Sequence, residues 1–291
     1  MKLPPQLVLN CRRTPERTAW LKSLPSLLQQ LETRWSLRLD EPFDHAGSCS
    51  WVAPASRANG ASAVLKLAMP HMEGQDEILG LRFWNGNPTV QLLEADLESG
   101  AMLLERCLPG TTLHSEPQTA QDEIVAHLLR QMWSRTPGAS ALRDFRTLSQ
   151  LIELWSSETI EQKHLWPDAQ LVTEGLRVWK ELARPASTDV LLATDLHAGN
   201  ILRSQREPWL VIDPKPFIGD RAYDPVQHLM NCESRLHHDP MGLVRRLSDL
   251  AEVDAERLRL WTFARAAADP RDDWTDDRWM RTARALASHA I

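Results

Sequence analysis

The segment Asp195-Leu-His-Ala-Gly-Asn200, followed by Asp213 in Val-Ile-Asp-Pro, constrains the chain most, because it places three oxygen-bearing side chains among short apolar runs at 190–193, 201–202 and 209–212. Short apolar runs bounded by polar and glycine residues read as strands, so the pattern predicts a hairpin-like cradle flanked by proton-accepting or metal-competent groups. A carboxylate can orient an acceptor hydroxyl and take its proton, while an amide oxygen five positions later and a second carboxylate on the next short strand can hold Mg2+. The pattern D-x-x-x-x-N, then D, reads as a phosphoryl-transfer site. Taken singly, Asp195 and Asn200 also fit ordinary turns, since Asp and Asn close loops on their own backbone and Gly199 supplies a permissive conformation. The three together point to chemistry.

The segment Ala193-Thr-Asp-Leu-His-Ala-Gly-Asn-Ile-Leu202, with Ile212-Asp-Pro-Lys215 and Gly219-Asp-Arg-Ala-Tyr-Asp-Pro225, resembles the aminoglycoside phosphotransferases, and within them the streptomycin 6-kinase and hydroxyurea kinase branch. The likeness implies an α+β, protein-kinase-like two-lobed fold, with a small antiparallel β-sheet lobe carrying one main helix and a larger, mostly helical lobe. It implies ATP and Mg2+ as cofactors and a small-molecule hydroxyl as acceptor, either streptomycin-like or hydroxyurea-like. Carried over by position, Asp195 is the expected catalytic base, and Asn200 and Asp213 are the expected metal ligands. The chain departs from the pattern at Ala193-Thr194, where relatives often have His-Gly. That histidine mainly supports the loop, so the departure bears on the substrate more than on the chemistry.

Upstream, helical spacing over residues 17–35 predicts a packing helix interrupted or kinked at Pro25. Short strands are expected at 37–39, 51–53 and 63–67, and two more at 90–95 and 101–107 around the turn Glu98-Ser-Gly100. The loop 44–50 holds one glycine, yet its Ser48 and Ser50 could donate to phosphate. Lys66, in Val-Leu-Lys-Leu, sits in the setting of a phosphate-binding strand lysine, although a strand-surface lysine is the commoner case. Asp76, Glu73 and Glu77 are all potential partners; the resemblance selects Glu77, in Glu-x-x-x-Leu-Arg-x-Trp. It also places the backbone of Glu105, Arg106 and Cys107 against adenine. Pro109-Gly110 marks the exit, which divides the chain into a nucleotide-binding lobe, 1–108, and a helical lobe with catalytic loop and acceptor site, 109–291.

Helical patterning dominates from Thr119, with apolar stripes at Ile124, Leu128, Leu129, Met132 and at Leu148, Leu151, Ile152, Trp155, and a third helix over 167–182. His197 reads as a structural hydrogen-bonder, and His237-His238 as a polar cap and solvated turn before Pro240. Lys215 could contact phosphate or substrate, or be a surface charge. Asp220 and Asp224 are expected to close the loop and cap the helix near Pro225. Glu233, Asp269, Asp272 and Asp273 are candidate anchors for a cationic acceptor, with Trp261 as a candidate wall, and the run 272–277 otherwise reads as a solvated turn and helix start.

A length of 291 residues suits two lobes, and 43% hydrophobic with 25% charged residues suits a globular chain. The net charge of -6 disfavours nucleic acid as partner and is compatible with a cationic acceptor. No apolar run approaches the ~20 residues of a membrane helix, and the amino terminus is too short in apolar residues for a signal peptide, so a cytoplasmic location is expected. Cys11, Cys49, Cys107 and Cys232 lack metal-ligand spacing and are expected to be reduced thiols. Most of the twelve Trp should be core residues. Rival readings are a housekeeping sugar or amino-alcohol kinase with the same core motifs, a catalytically silent nucleotide-binding protein, and a metal-dependent hydrolase using His197 and Asp213.

Overall fold

The computed structural model describes residues 2–43, 49–70, 74–135 and 144–287. The chain divides into two compact units, Met1–Thr111 with Leu202–Ile212, and Thr112–Ile201 with Asp213–Ile291. The first unit begins with helices α1 (Pro5–Cys11) and α2 (Pro15–Arg34), then strands β1 (Leu37–Leu39), β2 (Ser50–Arg57) and β3 (Ser62–Ala68). Helix α3 (Gly74–Trp84) and strands β4 (Leu92–Asp96) and β5 (Ala101–Glu105) follow. The strands form an antiparallel sheet in the order β1-β2-β3-β5-β4.

Strand alternation gives this sheet two different faces. Ala63, Leu65 and Leu67 of β3 join Trp51, Ala53 and Leu103 in a core that also takes Leu24, Leu28 and Leu31 from one face of α2. Val64 of β3, Met102 and Leu104 instead pack with Ile78 and Leu81 of α3. Lys66, two residues from Val64, therefore belongs to the α3 side of the strand. Helix α2 continues through Pro25 as one element, so of the interruption or kink expected there the interruption does not occur. A proline in a helix interior costs about 3 kcal/mol. Burying Leu24, Leu28 and Leu31, each at about 1.5–3 kcal/mol, outweighs that cost.

In the second unit α4 (Gln118–Ser134), α5 (Leu148–Glu161) and α6 (Ala169–Leu182) precede β6 (Val190–Leu192). The hairpin β7 (Ile201–Arg203) and β8 (Trp209–Val211) follows, and residues 202–212 return to the first unit. There Val90 N donates to Val211 O (3.0 Å) and Arg203 N to Thr111 O (2.8 Å). Arg206 grips Glu105 through two 2.9 Å bonds. The chain then forms β9 (Phe217–Gly219), α7 (Asp224–Asn231), α8 (Glu233–His238), α9 (Pro240–Ala251), α10 (Ala255–Ala268) and α11 (Arg278–Ala287).

Strand β6 pairs antiparallel with β9, not with its sequence neighbour β7. Helix α10 is buried nearly all round, which makes it the central helix of this unit. It meets α6 at Gly175, where an added Cβ would lie 2.8 Å from the Cβ of Ala267 and 3.1 Å from that of Ala268. Glycine facing alanines lets the two helix backbones come this close.

Candidate active site

The loop after β6 is built around a buried carboxylate. Asp224 is fully buried, and its Oδ2 accepts from Ala193 N (3.0 Å) and Trp133 Nε1 (2.8 Å), while Oδ1 accepts from Thr194 N (2.7 Å). Burial pushes its carboxyl up to about 6, against the lowering effect of Trp133 and the two backbone N–H groups. Asp224 lies in the first turn of α7 but spends its side chain on this distant loop, so the expected helix cap is corrected to a loop anchor. Asp220 does cap, accepting from Ala222 N at the short turn Arg221–Tyr223.

Thr194 takes φ +47°, in the left-handed region that β-branched residues rarely enter. Its hydroxyl donates to Lys215 O at 2.6 Å, and Lys215 N donates to Ala193 O at 2.9 Å. Those bonds, with the Asp224 anchor, hold at residue 194 a conformation that glycine reaches without strain. The Ala193-Thr194 departure thus keeps the loop's shape by other contacts.

Asp195 follows directly. Its Oδ1 accepts from Gln227 Nε2 at 2.8 Å and its Oδ2 from Lys215 Nζ at 2.5 Å. Lys215, left open by the sequence as a surface charge, is ion-paired to Asp195. His197 Nδ1 accepts from Gly199 N (3.1 Å), which assigns the proton to Nε2, 4.0 Å from Asp195 Oδ1. Burial lowers the His197 pKa, opposed by Asp195 and assisted by His114, His228 and Lys215, so the ring is neutral at pH 7. Asn200 Nδ2 donates to Asp195 O at 2.9 Å, and Asp213 holds φ +54°.

In the first unit, Lys66 is 6% exposed and therefore no surface lysine. Its Nζ lies 2.7 and 2.6 Å from the two carboxylate oxygens of Glu77 on α3. Ser50 opens β2, buried and paired with Ala68, whereas Ser48 and Glu73 lie outside the described residues. Glu105 N donates to Gln91 O (2.9 Å). Cys107 is buried, and burial with the neighbouring Glu105 pushes its thiol up to about 11. All four cysteines are free.

The residues named for the acceptor have different settings. Trp261 is fully buried and donates to Asp220 (2.8 Å), so it is a core residue rather than a wall. Asp269 is paired with Arg265, and Glu233, Asp272 and Asp273 are exposed. His237 is not a solvated cap: it stacks edge-on with Trp279 at 4.5 Å and bonds Thr282. Sequence reasoning missed Gln227, although it lies three residues after Asp224 and so on the same helix face. It also missed Arg265, a charged residue in the apolar run of α10.

A second missed cluster centres on Asp122 of α4, which receives Arg235, Arg246 and the His228 ring at 2.7, 2.8 and 3.0 Å. Asp122, His228 and Cys232 lie close enough to share a metal ion, but the two guanidinium groups already occupy the carboxylate. Burial alone would lower the His228 pKa, yet Asp122 and Cys232 raise it to about 9. A histidine raised above its unfolded value of 6.5 adds stability that is complete below pH 6.5 and lost as pH rises through 9. Urea midpoints are accordingly expected to fall between pH 6.5 and 9, with a loss on the order of a few kcal/mol. A His228→Gln variant with the same slope over that window would contradict this assignment.

A two-unit α+β chain, with a lysine–glutamate pair in the sheet unit and an Asp–Asn loop followed by a second Asp in the helical unit, is the architecture of a protein-kinase-like phosphotransferase. The family model for aminoglycoside/hydroxyurea antibiotic resistance kinases matches residues 34–274, and the chain belongs to that family. It is 34% identical to a streptomycin 6-kinase of Streptomyces glaucescens over 257 residues, 86% of this chain and 83% of that protein. It is 33% identical to a hydroxyurea phosphotransferase of Kitasatospora aureofaciens over 251 residues, 84% of this chain and 72% of the other. In fold it is similar to a choline kinase from Streptococcus pneumoniae, with TM-score 0.62 and 17% identity, covering 92% of this chain and 99% of that one. The chain is a phosphotransferase with a hydroxyl group as acceptor. Among the described residues no helix is long and apolar enough to cross a membrane.

Proposed function

We propose that this phosphotransferase moves the γ-phosphoryl group of ATP, with Mg2+, onto a hydroxyl of a small molecule of the streptomycin or hydroxyurea kind. The observation that carries the proposal is the Asp195 carboxylate, which accepts one donor on each oxygen and is thereby held in a single orientation. An oriented carboxylate can align an acceptor hydroxyl and receive its proton as the new P–O bond forms. Lys66, fixed by Glu77, is the proposed partner of the α and β phosphates. Ser50, and Ser48 with it, are proposed donors to phosphate. Glu105 N is already spent on Gln91 O, so at this strand end the proposed main-chain contacts to adenine come from the Glu105 carbonyl and the backbone of Arg106 and Cys107.

The donor set also suits the metal. Asn200 turns its Nδ2 to the loop backbone, which makes Oδ1 its ligating atom, and Asp213 adds a carboxylate. Mg2+ takes few protein oxygens and completes its shell with water and phosphate. Bound with nucleotide, it would neutralise phosphate charge. The acceptor class rests on the two relatives at 34% and 33% identity.

Phosphorus NMR of the protein with ATP, Mg2+ and a panel of streptomycin, hydroxyurea, choline and a hexose tests the reading. Transfer to streptomycin or hydroxyurea is the expected result. Transfer to choline or the hexose alone would make it a housekeeping kinase. Nucleotide binding without transfer across the panel would leave a silent binding protein.

A further inference from the structure

We infer that Gln227 and Arg265 form a positioning relay for Asp195, an inference that rests on the reading of Asp195 as the catalytic carboxylate. Gln227 of α7 bridges two charged groups. Its Nε2 donates to Asp195 Oδ1 (2.8 Å), and its Oε1 accepts from Arg265 NH1 (2.8 Å) on α10. A primary amide can be turned end for end, and from its own shape nothing decides which end meets Asp195. Arg265 decides it. A guanidinium has donors and no acceptor, so the atom facing it must be the amide oxygen, and the NH2 must then face Asp195. In the turned orientation an amide oxygen would oppose a carboxylate oxygen and an NH2 would oppose a guanidinium, making both contacts repulsive.

Arg265 is itself fixed on three sides. Asp269 holds its Nε and NH2 at 2.9–3.0 Å, and the guanidinium carbon lies 5.0 Å from the Trp155 ring centroid and 6.0 Å from that of Tyr223. The residue is 7% exposed, so these contacts operate with little competition from water. The order Asp269, Arg265, Gln227, Asp195 therefore transmits one orientation from the central helix to the loop. Lys215 takes the other oxygen, Oδ2. With one donor on each oxygen the carboxylate cannot rotate about its Cβ–Cγ bond without losing both. A carboxylate offers about four lone-pair sites, so acceptor capacity remains for a substrate hydroxyl.

The test measures kcat, KM for ATP and thermal midpoint for Gln227→Leu, Arg265→Met and the double variant, using whichever of streptomycin or hydroxyurea the wild-type protein phosphorylates. Loss of orientation predicts a fall in kcat of about 10- to 100-fold for Gln227→Leu, with KM for ATP unchanged. Since Arg265 acts through Gln227, adding Arg265→Met to Gln227→Leu should lower kcat no further. Losses that multiply, or Gln227→Leu at wild-type kcat, would overturn the relay.

Gln227→Glu guards against failure to fold. It keeps a partner for Arg265, so the thermal midpoint should hold, while an oxygen now faces Asp195 and kcat should fall. Retained kcat in this variant would also count against the relay. Asp195→Ala run in parallel separates the two ideas. Activity surviving that change would remove the catalytic reading itself, whereas activity lost there but intact in the Gln227 variants would remove only the relay.

Discussion

Asp195→Ala is expected to lower kcat for phosphotransfer by roughly 10^2- to 10^4-fold, the range a positioned proton acceptor contributes, while ATP binding is retained. The separation follows from where the residues sit. The lysine–glutamate pair proposed for the nucleotide belongs to the sheet of the first unit, and Asp195 belongs to the second. Removing the carboxylate deletes the acceptor of both the Lys215 and Gln227 bonds, whereas the Lys66–Glu77 bonds are made within the first unit. Asp195→Asn makes the test sharper. Its amide can satisfy one of the two donors, while its NH2 must face the other, so the asparagine should also be displaced from the productive orientation. Single-turnover phosphotransfer with calorimetric titration of ATP distinguishes the outcomes: wild-type turnover in either variant would refute the assigned role, and lost ATP affinity would show a damaged fold.

Much of this site was legible in the sequence because its parts are local. Asp195, Asn200 and Asp213 stood out by a fixed spacing around short strands. The rest depends on partners distant in the chain. Taken alone Lys66 fits a strand-surface residue better than a buried one, since no local pattern says that a strand is central; β2 and β5 flank its strand. Strand β9 is only three residues long, and its partner β6 lies beyond the Asp195 loop and the β7–β8 hairpin. Pro25 was read as an interruption or a kink by a rule about isolated helices, and burial of three leucines against the sheet keeps the helix uninterrupted. Asp224 beside Pro225 fits a helix cap by every local criterion. Its actual partners lie some thirty residues back and on α4.

A single change at Asp224 should cost the fold heavily. Asp224→Ala leaves Trp133 Nε1, Ala193 N and Thr194 N in a buried site without their acceptor. Each buried donor left unsatisfied costs about 1–3 kcal/mol. Relief from burying a carboxylate, whose pKa is already pushed up to about 6, offsets part of that sum. A net loss of about 3–5 kcal/mol is therefore expected, a large fraction of the 5–15 kcal/mol that holds a typical domain. The loss should also reach the chemistry, since the two backbone N–H groups fix the turn at Thr194 that presents Asp195. Trp133→Phe removes one donor and leaves the carboxylate with its two backbone partners, so it should cost much less and keep activity. Asp224→Asn should lie between the two, because its oxygen can keep Ala193 N and Trp133 Nε1 while its NH2 meets Thr194 N, where an oxygen is required. Urea midpoints and phosphotransfer rates of the three variants give the ordering. Asp224→Asn at wild-type stability would show that the loop is held by the Thr194–Lys215 contacts instead of by this carboxylate.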